Sequence, residues 1–137
     1  IQYEVSNFAL PGFASQHNLA CWDRNDYLGI GLSAHSFLNG RRSWNTRELS
    51  AYLGEVASSG KAVAGCEVIS DADRHLESVM LGLRQRQGVA QEVLRESPQF
   101  DRLLSQNLLE LDGQNVRLTR QGLLLADSVS LELVRDA

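Results

Sequence analysis

Cysteine is scarce: the 137 residues hold only Cys21 and Cys66, 45 positions apart. Zinc and iron–sulfur signatures need three or four ligands with closely spaced pairs, and two thiols this far apart form neither. Without a disulfide framework, the default setting is the reduced cytoplasm. Proline occurs twice and methionine once, and no repeat or low-complexity tract is present. No apolar run approaches the ~20 residues of a membrane span, and no secretory signal is visible. Clustered basic residues are missing too. The net charge is −4, with 6 acidic and 5 basic groups in residues 1–70 and 11 and 8 in residues 71–137. Neither half has the footprint of a nucleic-acid surface.

What remains is an ordinary globular composition, 43% hydrophobic and 22% charged, enough for one domain or a small domain with part of another. Ile1, Tyr3 and Val5 alternate with Gln2, Glu4 and Ser6, which predicts a strand. Pro11-Gly12 breaks it, and residues 12–26 read as irregular. Tyr27-Leu28-Gly29-Ile30-Gly31 reads as a short buried strand. Asn39-Gly40 lies between two strand-like runs, the strongest short-range hairpin signal. Asn45 with Glu48 three positions on has the form of a capping box for a helix that ends at Gly60.

The second half is more regular. Ser70 caps a helix whose buried stripe is Leu76, Val79, Met80 and Leu83. A short helix is expected over Val89–Glu96. A third starts at Ser97-Pro98, with Phe100, Leu103, Leu104, Leu108 and Leu111 facing inward. Asp112-Gly113 turns into a short strand over Asn115–Leu118, and Thr119 caps a closing helix with Leu125, Ala126, Val129 and Leu133 on one face. The expected class is α+β, ending in a small, mostly helical, winged-helix-like domain, with a boundary near residues 60–70. Such a domain raises a second reading, a module that binds a protein partner or DNA. Residues 99–110, the would-be recognition helix, carry Asp101, Arg102 and Glu110. That net negative charge makes nucleic acid the weaker choice.

Candidate site residues are few. In His17-Asn18-Leu19-Ala20-Cys21-Trp22, a neutral imidazole suits axial ligation of heme iron. Trp22 offers a flat apolar face, and Asn18 a hydrogen-bonding amide. The plainer reading is a loop histidine and an anchoring tryptophan. Gly29, Gly31 and His35 fall at the end of a short strand, where glycines allow close approach of a ligand or simply a tight turn. Arg41 and Arg42 suit ligand carboxylates or a solvated hairpin. His75 reads as surface, Asp71 and Asp73 as helix-start charges, and Cys66 as inert.

Four segments in this order, YEVSNFALPGFASQHNLACW, DYLGIGLSAHSFLNGRRSWN, ISDADRHLESVMLGLRQRQGV and RLTRQGLLLADSV, resemble the C-terminal region of the oxygen-independent coproporphyrinogen III oxidase-like radical-SAM family. The heme-chaperone branch is nearest. The resemblance spans nearly the whole chain. It implies that residues 1–62 are the last strands, hairpin and helix of a partial (β/α) barrel edge, and that residues 63–137 are the C-terminal domain. It implies a longer parent whose N-terminal barrel binds a four-iron four-sulfur cluster through CxxxCxxC, together with S-adenosylmethionine. That motif is absent here, so this stretch is not expected to be catalytic alone. The branch's His-Asn-x-x-Tyr-Trp motif is matched by His17, Asn18 and Trp22 and departed from at Cys21. The implied ligands are heme, held through His17, or a porphyrinogen. The implied partners are the barrel and a heme-acceptor protein.

Overall fold

The computed structural model describes residues 1–135. Its elements group into two compact units, which do not follow a linear division at residue 62. One unit joins residues 1–24 to residues 72–137, and the other is residues 25–71.

The first unit holds the hydrophobic core. Helix α1 (Gln16–Trp22) follows the opening segment. After the second unit the chain runs through α3 (Asp71–Arg84), β4 (Val89–Ala90), α4 (Gln91–Leu94) and α5 (Phe100–Ser105). The hairpin β5 (Leu109–Asp112) and β6 (Asn115–Leu118) comes next, then α6 (Arg120–Leu123) and α7 (Ala126–Val134). The sheet order is β4-β6-β5, with every pair antiparallel. Val79, Leu83, Leu94, Phe100, Leu103, Leu109, Val116, Leu118, Val129 and Leu133 form one cluster. At about 25 cal/mol per Å² of apolar surface removed from water, burial on this scale is the main stabilising term. Thr119 closes the hairpin onto α6: its Oγ1 accepts from the Gly122 N–H at 3.0 Å and donates to the Asn107 carbonyl at 2.7 Å.

The second unit is a three-stranded antiparallel sheet, β1 (His35–Leu38), β2 (Arg41–Asn45) and β3 (Val63–Val68), with α2 (Leu49–Ser59) between β2 and β3. Asn39 (φ 52°) and Gly40 (φ 73°) make the hairpin turn that the sequence predicts, because both central positions need a left-handed backbone. This unit buries little: Phe37, Ala62 and Ile69 are its buried apolar side chains.

Several local expectations are corrected. The opening alternation forms isolated bridges, Gln2 to Phe8 and Glu4 to Gln85, rather than a strand. Its buried member is Glu4 at 2% exposure, while Ile1 is 59% exposed. Residues 16–22 are helical because Ser15 caps them, accepting from the Asn18 N–H. Tyr27–Gly31 makes a single bridge, Tyr27 to Phe37, and leaves Leu28 and Ile30 exposed. Asn45 ends β2, and Glu48 is itself the N-cap of α2, accepting from the Ser50 and Ala51 N–H groups. Strand β3 and the short β4 were not foreseen. Leu109, not Leu111, is buried, at the start of β5. The closing helix is broken at Leu124–Leu125, which leaves Leu125 exposed.

Candidate functional site

The first group of candidate residues lies on α1, in the first unit. Helical spacing sorts it into faces. His17 and Cys21 share one, with Nε2 and Sγ 3.8 Å apart, His17 exposed and Cys21 half-buried. Asn18 and Trp22 share the next face round and are turned into the fold. The Asn18 amide donates to the Tyr3 hydroxyl at 3.4 Å. The Trp22 ring lies 5.3 Å from the Arg84 guanidinium carbon, an arrangement of cation over ring. Trp22 Nε1 is buried without a partner among the described residues, as is Arg84 Nε. Arg84 Nη1 reaches Asp127 at 3.1 Å. So the amide and the indole anchor the helix, while the imidazole is presented to solvent.

Sequence reasoning missed the supports of this helix. The Val5 N–H donates to the Arg84 carbonyl at 3.0 Å, and the Gln85 side chain donates to Asp23 at 3.0 Å. Glu4 Oε1 accepts from the Ser6 N–H, the Ser6 hydroxyl and the Asn7 amide at 2.6–2.8 Å. Burial pulls the Glu4 carboxyl upward, but these bonds and the nearby Arg84 charge outweigh it and hold it below the usual range. The one signal for Glu4 was an acidic residue in the middle of an otherwise strand-like run. Arg84 had none beyond its place in the last turn of α3.

Beside the N-terminal segment lies an open cavity of about 370 Å³ lined by Tyr3, Glu4, Arg84, Arg86, Glu110 and Arg117, among others. Arg117 is neutralised by Glu110 and Asp112, each at 2.7 Å. A neighbouring cleft of about 450 Å³ touches α1 through Leu19, which points roughly opposite to His17 on the helix. His17 does not line that cleft.

The second group, Gly29, Gly31 and His35, lies in the second unit, where local roles account for it. A Cβ on Gly29 would stand 2.0 Å from the His35 carbonyl oxygen, and the Gly29 N–H donates to Ser36 Oγ. Gly31 has φ +109°, and its carbonyl accepts from Asn45. The His35 ring stacks at a tilt on Trp44, centroids 6.1 Å apart. Arg41 donates to Cys66 Sγ at 2.8 Å and Arg42 pairs with Glu67 at 2.8 Å, so both have partners across the sheet. His75 is exposed on α3. Among the described residues, no three His, Cys, Asp or Glu side chains are grouped to hold a metal ion, and no helix is long and apolar enough to cross a membrane.

Comparison with known proteins places these features. Residues 69–125 match the HemN C-terminal domain family. The chain is 36% identical over 129 residues to the heme chaperone HemW of Mycobacterium tuberculosis, covering 93% of this chain and 33% of that protein. It is 35% identical to HemW of Lactococcus lactis, covering 98% and 38%. Against the mouse mitochondrial radical S-adenosyl methionine domain-containing protein 1 it is 32% identical, covering 97% and 35%. The chain thus spans about a third of the length of the curated relatives it matches. Among solved structures it is similar to the coproporphyrinogen III oxidase (HemN) of Escherichia coli, a radical SAM enzyme. The TM-score is 0.63 at 19% identity, over 82% of this chain and 29% of that one. This likeness supports the α+β fold.

Proposed function

We propose that the chain presents a heme ligand within a radical-SAM protein of tetrapyrrole metabolism, since residues 69–125 match the HemN C-terminal domain family and the chain aligns over most of its length with a third of the heme chaperone HemW. The observation that carries this reading is the exposed imidazole of His17 on a helix pinned from two sides, by Asn18 to Tyr3 and by Trp22 to Arg84. A neutral imidazole would hold heme iron here. His17 is the donor. Asn18 and Trp22 position the helix that carries it rather than touch the porphyrin, because the amide and one ring face are already engaged.

The residues here do not fit a four-iron four-sulfur cluster. Two cysteines fall short of the three in CxxxCxxC, and they belong to different compact units. In this proposal the cluster and S-adenosylmethionine are held by sequence outside these 137 residues, and so is any oxidation of a porphyrinogen. Gly29, Gly31 and His35 would border that site, and a heme-acceptor protein is the further partner this role requires. The module-only reading is less well supported. Arg102, the one basic residue of α5, is ion-paired with Glu132, which leaves that helix little to offer a phosphate backbone.

Heme titration followed at the Soret band, with His17→Ala beside the parent sequence, tests the reading. Saturable binding that weakens about tenfold or more without the imidazole supports it; this corresponds to the loss of at least ~1.4 kcal/mol. Equal binding by both proteins removes His17 as the ligand.

A further inference from the structure

We propose that His17 and Cys21 form a two-donor clamp for a single soft or borderline metal ion, of the zinc, cobalt or cuprous class. The two residues stand one helical turn apart on the same face, the i, i+4 spacing by which paired histidines hold zinc in helical metalloprotease motifs. Their donor atoms, Nε2 and Sγ, are already 3.8 Å apart. A tetrahedral zinc ion with Zn–N near 2.0–2.1 Å and Zn–S near 2.3 Å needs a donor separation of about 3.5 Å. The observed separation exceeds this by roughly 0.3 Å. An imidazole with a thiolate selects this class of metal over magnesium or calcium, which take oxygen ligands. The helix is fixed at its far side by Trp22 and Arg84 and at its start by the Ser15 cap, so the donors are largely pre-arranged. The metal displaces the thiol proton, and the two remaining positions are filled by water or by ligands of another molecule.

The clamp stands apart from the heme reading, but one consequence rests on it. Heme would be held through His17 alone. A free ion takes both. Metal in the clamp therefore removes His17 from heme, and the two ligands compete.

The test is a cobalt(II) titration of the reduced, metal-stripped chain. The expected result is a near-ultraviolet thiolate-to-cobalt band that saturates at one equivalent. Cys21→Ser should abolish the band. His17→Ala should weaken binding by at least about tenfold, since even outer-shell changes at metal sites cost 10–100-fold. Cys66→Ser should leave it unchanged. Absence of the band overturns the proposal, as does its survival in Cys21→Ser, its loss in Cys66→Ser, or equal affinity in His17→Ala. A normal cobalt titration with no heme binding would uphold the clamp while the heme reading falls. Heme binding lost in His17→Ala with no cobalt band would do the reverse.

Discussion

The guanidinium of Arg84 lies 5.3 Å from the centroid of the Trp22 ring, and thereby ties the end of α1 to the end of α3. The same residue is held by Asp127 through Nη1 and lends its carbonyl to Val5. Three stretches of chain distant in sequence meet at one residue.

Removing either partner should therefore loosen α1. A double-mutant cycle of Trp22→Leu and Arg84→Met is expected to give a coupling of about 0.5–1 kcal/mol, the usual worth of a partly exposed cation–π pair. Urea denaturation of the four proteins measures it. A coupling of zero would mean that the contact is incidental.

Glu4 should impose a pH signature. Its carboxyl is held below the usual range in the fold, so its stabilisation is fully present above the unfolded value of about 4.3 and fades as pH falls through the lower folded value. Glu4→Gln weakens three charge-assisted bonds and is expected to cost about 2 kcal/mol near neutral pH. That difference should shrink below about pH 4. Chemical denaturation of both proteins across this range reads it directly, and a gap independent of pH would show that the charge of Glu4 is not what matters.

Two glycines should respond to alanine with opposite signs. Gly88 has φ +67°, and a Cβ there would sit 1.9 Å from the Val116 carbonyl oxygen where β4 begins its pairing with β6. Gly88→Ala is expected to cost about 2 kcal/mol or more. Gly54 lies inside α2 with nothing within 4 Å of its would-be Cβ. Gly54→Ala should raise stability by about 0.5–1 kcal/mol. Thermal unfolding of the two variants separates the cases.

Thr119→Ala should cost about 1–2 kcal/mol, since it removes both the cap of α6 and the tie to the Asn107 carbonyl. Thr119→Ser keeps the hydroxyl and should recover most of that loss. If serine fares no better than alanine in denaturant titrations, the methyl group rather than the cap carries the stability.

Where local chemistry decided the structure, the sequence was readable. Asn39-Gly40, the Thr119 cap, the α3 stripe through Val79 and Leu83 and the Asp112-Gly113 turn all follow from steric and capping rules that act within a few residues. The opening segment resisted for a different reason. Its alternation would place Glu4 on the wet side, yet Glu4 is buried because Ser6 and Asn7 supply donors and Gln85 supplies a bridge from far along the chain. Helix α1 is only seven residues long, so its capping serine was the main cue. At the candidate site, the sequence shows His17, Asn18 and Trp22 as neighbours, but not their division between an exposed face and an anchored one. That division depends on Tyr3 and Arg84, which no local pattern links to α1.

The grouping of residues 1–24 with residues 72–137 has a consequence for biosynthesis. A chain made from its N-terminus delivers Val5 and Glu4 long before Arg84 and Gln85, which hold them in place. At roughly 5–20 residues per second, several seconds separate the early segment from the residues of this chain that hold it. Its docking must then close a loop the length of residues 25–71, a modest entropic charge that grows only slowly with length. Helix α1, and with it His17, gains these anchors only once residues 84 and 85 have been made.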